Sequence, residues 1–437
     1  MRRGKFIFLL VLVFTTLFWA LTDPRWLPGR DVHQLRAAIV QYSGVIAIVC
    51  MVFAALISTR PRWLEPAFGG LDKMYLIHKW LGITTLVFAS VHWWFALGAR
   101  QILGWIFKGA AAPKEPVPPL MHALHVPAHI IGEWCFYVLV ILLVIALWRR
   151  ISYRVFALTH MLMTLLLALL LFHTVVLTRQ GYWSEPFGWF IGTVVAIGLA
   201  CVLVIAFRRF GKGHEVEGVV ERQTYYPELK VLETEIHINR GWPGHKAGQF
   251  AFAKTSLIEG GHPFTMASDW DPKKKRMLIM AKELGDFTSR LRHEYTVGRR
   301  LRLEGPYGCF DFEDGMPTQI WIGAGIGITP FLARMRQLAR NGHAQDIHLF
   351  HPTSDADDAV LDMVMSNATA AGIELHIHLT PRDGRLDGGV IREQVPDWRR
   401  SSVWFCGPFA FGKALRRDFT EHGLNARHFH QERFELR

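Results

Sequence analysis

Six apolar runs in the first half of the chain are each about as long as a helix that crosses a bilayer. Backbone polar groups in hydrocarbon must be satisfied within their own segment, so runs of this length predict helices that pack as a transmembrane bundle. No comparable run follows Arg208, and the 437 residues therefore divide into a membrane half and a soluble half. The predicted spans are Phe6–Leu21, Leu35–Ile57, Met74–Leu97, His129–Trp148, Val155–Leu177 and Phe187–Phe207.

The residues beside these runs predict their orientation. The first run has a basic start like that of a signal peptide, but Phe18 and Trp19 are too large to flank a cleavage site. We therefore expect an uncleaved anchor and six spans, with both termini on one side of the membrane. The positive-inside rule makes that side cytoplasmic. Its basic residues are Arg2, Arg3, Lys5, Arg60, Arg62, Lys73, Arg149, Arg150, Arg154, Arg208, Arg209 and Lys212.

Charge and cysteine content exclude several other classes of protein. The net charge of +12 lies partly on this basic rim, and it indicates contact with the membrane and with anionic nucleotides. No cluster of basic and aromatic residues of the nucleic-acid-binding type occurs, so no nucleic-acid partner is expected. The five cysteines form no CxxC motif, which argues against a disulfide framework and an iron–sulfur site.

Two histidine pairs lie inside the apolar runs. His78 and His92 are on the third predicted span, and His160 and His173 are on the fifth. An imidazole in hydrocarbon is costly and tends to persist only with a partner, so four of them indicate ligands to a group held between helices. Haem iron takes two axial nitrogens. Two haems, each bound by two histidines, are therefore the favoured interpretation, ahead of a polar network or a proton path.

The spacing of the histidines predicts two layers. At 1.5 Å per residue, spacings of 14 and 13 residues put the histidines of each helix roughly 20 Å apart. His78 with His160 would form the inner layer, and His92 with His173 the outer layer. A spacing of 14 returns within about 40° of the same face, whereas 13 falls about 140° away. The fifth span therefore needs a local distortion or a haem set off its axis.

The predicted outer loop from Gly98 to Ala128 contains His122 and His125, and His129 opens the next span. A metal-docking role is one interpretation of these histidines. An irregular surface loop is the favoured one, because no acidic or cysteine ligands accompany them.

The soluble half contains two successive patterns of predicted secondary structure. From Gly213 short alternating segments such as Lys230–Ile238 predict an antiparallel β-barrel. Beyond Pro317 strand and helix patterns alternate, with strands at Gln319–Ile322, Ile347–His351 and Ile373–Leu379 and a helix at Thr329–Asn341. This alternation predicts an open, Rossmann-like α/β sheet. The expected domains are 1–212, 213–316 and 317–437.

A glycine-rich turn connects the first of these strands to the helix. Gly323, Gly325 and Gly327 allow a tight turn and close approach of a pyrophosphate to the backbone. Thr329 followed by Pro330 predicts an N-cap and a first helical position. The turn departs from G-x-G-x-x-G, because Ile328 occupies the third glycine's place, but its position between strand and helix favours nucleotide binding.

With these motifs, nearly the whole chain resembles a bacterial member of the NADPH oxidase and ferric reductase superfamily. Proteins of that family carry histidine pairs on the third and fifth spans, which His78/His92 and His160/His173 match. The resemblance implies that FAD is bound by Gly248, Gln249, Phe250, His262, Pro263, Phe264, Thr265, Gly285, Phe287 and Thr288. It implies that the nicotinamide nucleotide is bound by Gly323, Gly325, Gly327, Thr329, Pro330, Cys406, Gly407 and Pro408.

The resemblance also implies roles in the chemistry for three residues, two from these sets and one near the C-terminal end of the sequence. Cys406 would lie beside the nicotinamide, Thr265 would hydrogen-bond the isoalloxazine, and Phe434 would cover the flavin ring and move aside for the nicotinamide. The expected activity is transfer of electrons from NAD(P)H through FAD and two b-type haems to an extracytoplasmic acceptor across a bacterial plasma membrane. No obligate cytosolic activator is expected, because no EF-hand or long regulatory insertion is visible.

Several alternatives stay open at this stage. Arg382 and Arg385 favour NADPH over NADH only weakly, because the segment from His351 lacks the arginine expected to bind a 2′-phosphate. Two histidines on each iron leave no open position, so oxygen giving superoxide, ferric or cupric chelates and a quinone all stay possible acceptors. A metal reductase, or a membrane electron carrier for a periplasmic protein, are the alternative functions.

Overall fold

The computed structural model describes residues 2–27, 32–98, 118–148, 150–207, 215–255, 261–354 and 357–432. Contacts divide the chain into two compact units, Met1–Phe210 with Arg437, and Gly211–Leu436. In the part of the first unit that is described, six helices are long and apolar enough to cross a membrane. Its helices are α1 (Arg2–Thr22), α2 (Val32–Ser58), α3 (Glu65–Phe68), α4 (Leu71–Trp93), α5 (Pro119–Leu147), α6 (Tyr153–His160), α7 (Leu162–Leu177) and α8 (Pro186–Ala206).

The prediction for the fourth span is wrong at its start. Helix α5 begins at Pro119, ten residues before the predicted start at His129, so His122 and His125 lie on a helix and not in an irregular loop. Pro127 lies inside this helix without ending it. Proline is tolerated within transmembrane helices, where neighbouring groups satisfy the freed carbonyl. The rest of the predicted loop, from residue 99 to 117, lies outside the described residues.

A buried polar cluster joins the end of α1 to the segment before α8. The Tyr182 hydroxyl donates a 2.5 Å hydrogen bond to the Asp23 carboxylate and accepts one of 3.1 Å from the Trp19 indole. Arg25 pairs with the same carboxylate, which is fully buried. Because a buried carboxylate is stable only when paired and hydrogen-bonded, this cluster fixes the ends of two membrane helices against each other.

The second unit begins with a six-stranded antiparallel sheet. Its strands are β1 (Glu215–Tyr226), β2 (Val231–Ile238), β3 (Phe250–Lys254), β4 (His262–Thr265), β5 (Arg276–Lys282) and β6 (Arg300–Tyr307), in the order β4-β3-β6-β1-β2-β5. The two edge strands approach each other, because Met266, directly after β4, makes an isolated antiparallel bridge to Ile279 of β5. Helix α9 (Asp286–Glu294) connects β5 to β6.

A five-stranded parallel sheet follows, in the order β11-β10-β7-β8-β9. Alternate residues of its strands are buried in two separate hydrophobic cores. One core contains Trp321, Leu349 and Trp404, and the other contains Ile322 and Phe405. The predicted fold class, a six-helix membrane bundle followed by an antiparallel FAD-type domain and a Rossmann-like domain, is confirmed. The elements are β7 (Thr318–Gly323), α10 (Thr329–Asn341), β8 (Asp346–Thr353), α11 (Asp358–Ala371), β9 (Glu374–Leu379), α12 (Thr380–Asp383), α13 (Gly388–Gln394), β10 (Ser401–Cys406), α14 (Phe409–Glu421) and β11 (Phe429–Gln431).

Candidate functional site: a four-histidine membrane centre and a nucleotide-binding fold

The structure brings the four membrane histidines together as two facing pairs. The ring centroids of His78 and His160 lie 5.9 Å apart, and those of His92 and His173 lie 6.1 Å apart. The pairing between helices is the one that the sequence predicts. Each pair joins α4 to the segment formed by α6 and α7, so both layers bridge the same helices.

Backbone carbonyls orient three of the four rings. Nδ1 of His78 donates to Ala54 at 3.0 Å, Nδ1 of His92 to Val40 at 2.8 Å, and Nδ1 of His173 to Ala128 at 2.8 Å. A carbonyl can only accept, so these bonds set the tautomer and leave Nε2 of each ring as the free acceptor. The fourth ring differs, because Nδ1 of His160 is buried and has no hydrogen-bond partner among the described residues.

The fifth span is interrupted directly after His160, and such a local distortion is one of the two alternatives that the histidine spacing predicts. Helix α6 ends at His160 and α7 begins at Leu162, with a turn at Met161 between them. The amide of Thr164 bonds the Met161 carbonyl, an i to i+3 bond of the tighter 3₁₀ type. This change of winding falls between His160 and His173, whose spacing of 13 residues puts them on different faces of a regular helix.

Two glycines leave room for the rings of the outer layer. A Cβ atom on Gly132 of α5 would lie 2.2 Å from Nδ1 and Cε1 of His173. A Cβ on Gly44 of α2 would lie 2.9 Å from Nδ1 of His92. Helices α2 and α5 therefore approach these histidines so closely that only glycine fits beside the rings. Neither glycine has a sequence signal of its own, and the prediction from sequence missed both.

These observations fit a metal held between each pair. A metal–imidazole bond is about 2 Å long, so a metal between two facing rings holds their centroids about 6 Å apart. The separations of 5.9 and 6.1 Å agree with that value. The Nδ1 bonds to carbonyls are also those that commonly fix a metal-bound histidine. His78, His92, His160 and His173 could therefore hold two bis-histidine haem irons.

The predicted flavin motifs meet on neighbouring strands of the antiparallel sheet. Phe250 of β3 pairs with Thr265 of β4, and the Gln249 carbonyl accepts a 3.1 Å hydrogen bond from the Met266 amide. The side-chain amide of Gln249 donates to the Gly308 carbonyl at 3.2 Å. Strand pairing thus brings two motifs that are more than ten residues apart in the sequence to one edge of the sheet.

The third flavin motif lies at the start of α9. Phe287 stacks on His262 with ring centroids 3.4 Å apart and an interplanar angle of 13°, which links this motif to β4. The Thr288 hydroxyl accepts from the amides of Leu284 and Gly285 at 2.8 and 3.1 Å. Thr288 therefore closes the helix N-terminus, while its predicted contact with phosphate stays a prediction.

The two nucleotide motifs lie side by side at the carboxyl ends of β7 and β10. Gly323 and Cys406 are paired in register, and the Ala324 amide donates to the Cys406 carbonyl at 2.9 Å. A Cβ on Gly327 would lie 2.2 Å from the same carbonyl oxygen. The chain continues from β7 to β8 on one side and returns to β10 on the other, so these motifs occupy the topological switch point where open α/β sheets bind ligands.

The predicted N-cap at Thr329 is wrong. A 3₁₀ turn at Gly325–Ile328 precedes α10, so Ile328 is the capping residue and Thr329 is already the first residue of the helix. The Thr329 hydroxyl donates to the Ile326 carbonyl at 2.7 Å and does not accept from a helix amide. Pro330 is consequently the second helical residue.

Cys406 is buried in the core of the α/β domain, with 1% of its surface exposed. Burial raises the pKa of its thiol well above the ordinary value, and the nearby Glu432 carboxylate adds to this shift. The thiol therefore stays protonated at neutral pH and is not a nucleophile. Cys406 is the last residue of β10, and two residues of the motif follow it. Gly407 has a φ of 157°, and Pro408 is the N-cap of α14.

His351, at the carboxyl end of β8, supports the glycine-rich turn. Its Nδ1 donates a 2.7 Å hydrogen bond to the Gly323 carbonyl, and 4% of its surface is exposed. Burial lowers the pKa of His351, while the bond to the carbonyl opposes this effect. A neutral imidazole thus holds the end of β7. In the sequence, His351 was noted only because the segment that it begins lacks an arginine for a 2′-phosphate. Its position in the sequence did not indicate a contact with β7.

The arginines predicted to select NADPH lie after β9. Arg382 is exposed and donates two hydrogen bonds, of 2.6 and 2.9 Å, to Asp383. Hydrogen bonding by the Arg382 side chain is the main reason that the pKa of Asp383 falls to about 2. Arg385 is exposed in the segment after α12. The last predicted residue, Phe434, lies outside the described residues.

Comparison with known proteins agrees with this architecture. Residues 43–172 match the family described as ferric reductase like transmembrane component. The chain is 34% identical over 142 residues to an NADPH oxidoreductase of Mycobacterium tuberculosis, covering 32% of this chain and 37% of that protein. It is 24% identical over 274 residues to dual oxidase 1 of Caenorhabditis elegans, covering 54% of this chain and 17% of that protein.

Among solved structures, a flavohemoglobin from Malassezia yamatoensis aligns with 94% of this chain and 98% of its own, at 14% identity and a TM-score of 0.49. The match covers less than half the length of either curated relative, 37% of the NADPH oxidoreductase and 17% of dual oxidase 1.

The protein thus combines a ferric-reductase-like transmembrane component with a reductase-type FAD and nicotinamide-nucleotide fold. This combination is similar to that of the NADPH oxidase and ferric reductase superfamily, in agreement with the resemblance found in the sequence.

Proposed function

We propose that the protein is a transmembrane NAD(P)H oxidoreductase that delivers electrons to an acceptor outside the membrane, with O₂ reduced to superoxide. One observation carries the proposal: His78 faces His160 and His92 faces His173 inside the membrane helices, in a chain that also contains a nicotinamide-nucleotide fold. When bound, FAD would convert a two-electron hydride into single-electron steps, and haem iron would carry single electrons.

The residues of the chain have defined tasks in this proposal. The amides of the Gly323–Gly327 turn would bind the nucleotide pyrophosphate. Cys406–Pro408 would line the nicotinamide position, and Thr265 would hydrogen-bond the isoalloxazine. The four histidines would provide the axial nitrogens and, by holding both groups between the same helices, would set the path of the electrons. None of these residues acts as a general acid or base.

The orientation follows from the basic residues at the helix ends. Arg60, Arg62 and Arg150 lie in connections on one side and Lys73 lies in the first turn of α4 on that side, so by the positive-inside rule this side and both termini would be cytoplasmic. The membrane would be a bacterial plasma membrane. His78 and His160 would then form the layer nearer the NAD(P)H side, and the acceptor would meet the layer of His92 and His173.

An anaerobic absorbance titration of the detergent-purified, FAD-supplemented protein tests the proposal. Limiting NADPH, and in a parallel sample NADH, is expected to reduce two low-spin b haems per chain, and air is expected to reoxidise them with formation of superoxide. Protein without haem would contradict the mechanism. Haems that stay reduced in air until a ferric chelate is added would instead identify a metal reductase, which the name of the matched family favours as the second candidate.

The close contact between Gly132 and His173 provides a sharper test of the outer layer. Gly132→Ala is expected to lower haem content by about half, because the new methyl group would displace a ring that must face His92. Gly192→Ala is the matched control, since a Cβ at Gly192 meets nothing within 4 Å. The measurement is haem per chain after purification. Equal haem content in the two variants would show that the close approach of Gly132 to His173 is not needed to hold a haem in this layer.

A further inference from the structure

Three potential metal ligands meet at the edge of the parallel sheet, on a part of the domain that the proposed function does not use. His348 lies on β8, and Glu374 and His376 lie on the neighbouring edge strand β9. The register pairs His348 with Glu374, and Phe350 with His376. Residues two apart on a strand share a face, so register and alternation bring the three side chains together.

The distances between the donor atoms are those of a coordination shell. Nδ1 of His348 lies 3.3 Å from Oε2 of Glu374 and 3.4 Å from Nε2 of His376, and that Nε2 lies 3.4 Å from Oε1 of Glu374. In tetrahedral Zn²⁺ sites with bonds of about 2.0–2.1 Å, neighbouring ligand atoms lie about 3.3 Å apart. The three donors therefore need no rearrangement of the backbone to reach one ion.

The surroundings also suit a metal. The other nitrogen of His348, Nε2, lies 3.2 Å from Oδ2 of Asp346, which is the carboxylate–histidine arrangement that commonly orients a metal-bound imidazole. His376 stacks on Phe350 with ring centroids 4.4 Å apart, which limits its rotation. The Glu374 side chain is 59% exposed, so a water molecule can reach a fourth position.

We propose that His348, Glu374 and His376 form a binding site for one divalent transition-metal ion, with Zn²⁺ as the occupant. Two imidazoles and one carboxylate suit Zn²⁺ and disfavour Mg²⁺, which prefers oxygen ligands in an octahedron. The ion would clamp the edge strand β9 to β8. This proposal is independent of the haem and flavin assignments.

Zinc binding to the whole chain, purified in detergent, tests the site. After treatment with a chelator, the protein is titrated with ZnCl₂ or MgCl₂ by calorimetry, and the metal that remains bound after gel filtration is counted. We expect one Zn²⁺ per chain and no comparable binding of Mg²⁺. His376→Ala is expected to weaken zinc binding at least about 100-fold, and Glu374→Gln, at an exposed position, at least about 10-fold.

Two further variants separate ligation from general effects. His378→Ala is the matched control, because His378 lies on the same face of β9 and bonds the Gly384 carbonyl instead of the cluster. It should bind zinc like the unmodified protein. Asp346→Asn is expected to weaken zinc binding about 10-fold without changing the melting temperature of the metal-free protein. The melting temperature of each metal-free variant serves as the check that it is folded.

Two outcomes would overturn the proposal. The first is unchanged zinc affinity in both Glu374→Gln and His376→Ala. The second is an equal loss of affinity in His378→Ala. Either would show that His348, Glu374 and His376 do not act together as a zinc site.

Discussion

Substitution of His92 by leucine is expected to remove one of two haems per chain and to lower reduction of an external acceptor at least about 100-fold. The physical reason is that the ring centroids of His92 and His173 lie 6.1 Å apart, as two ligands of one metal would. Nδ1 of His92 donates to the Val40 carbonyl, which leaves Nε2 to bind iron. Leucine has no nitrogen to offer, so the remaining histidine alone would have to retain the haem. Reduction of a soluble dye by NAD(P)H should persist, because the flavin half is untouched.

The matched control for this substitution is His122→Leu. His122 also lies on a membrane helix, is exposed and belongs to neither facing pair. Haem per chain, the spectrum of the reduced protein, and acceptor and dye reduction are measured for both variants. Two intact low-spin haems in His92→Leu, or loss of haem from His122→Leu as well, would remove the basis for assigning the four histidines as axial ligands.

Replacement of Gly248 by alanine is expected to weaken FAD binding at least about 10-fold and to abolish dye reduction by NAD(P)H, while haem content stays unchanged. Gly248 has a φ of 91°, and a Cβ there would lie 1.8 Å from the backbone carbonyl oxygen of Phe310. The left-handed conformation costs alanine about 1–2 kcal/mol, and relief of the overlap costs about 1–3 kcal/mol more. The backbone must therefore move directly beside Gln249 and Phe250, in the predicted flavin motif.

Gly298→Ala separates these two costs. Gly298 has a similar φ of 83°, but a Cβ there meets nothing within 4 Å. This control therefore carries the conformational strain without the overlap, and it lies in a turn outside the flavin motifs. FAD per chain and dye-reduction rates are compared at saturating and limiting FAD. If both variants lost FAD equally, or if neither did, the flavin assignment of the Gly248–Phe250 segment would be wrong.

Much of the architecture could be predicted from the sequence because it depends on local pattern. The length and apolarity of the six runs determine membrane helices wherever they fall in a chain. The change to alternating and then strand–helix patterns beyond Gly213 predicts the two soluble folds in the same way. The spacing of 13 residues between His160 and His173 does not fit one helix face, so the sequence predicted either a local distortion of the fifth span or a haem set off its axis.

Local signals failed where neighbouring structure decides the conformation. The predicted outer loop extended to Ala128, and proline commonly ends a helix, but α5 begins at Pro119 and continues through Pro127. Thr329 suggested an N-cap, but a 3₁₀ turn moves the helix start by one position. In both cases the residue has a real preference, but the surrounding packing supplies or removes the hydrogen bonds on which that preference depends.

By itself, the sequence determined the number of spans and the fold class, and it supplied the predictions of which side chains bind iron, flavin and nucleotide. The tertiary structure alone decided which of them meet. The carbonyls of Ala54, Val40 and Ala128 orient histidines 24 to 52 residues away. Gly132 admits the ring of His173, and strand register assembles His348 with Glu374. Such contacts depend on distances between segments far apart in the chain, and helical or strand periodicity carries no information about those distances.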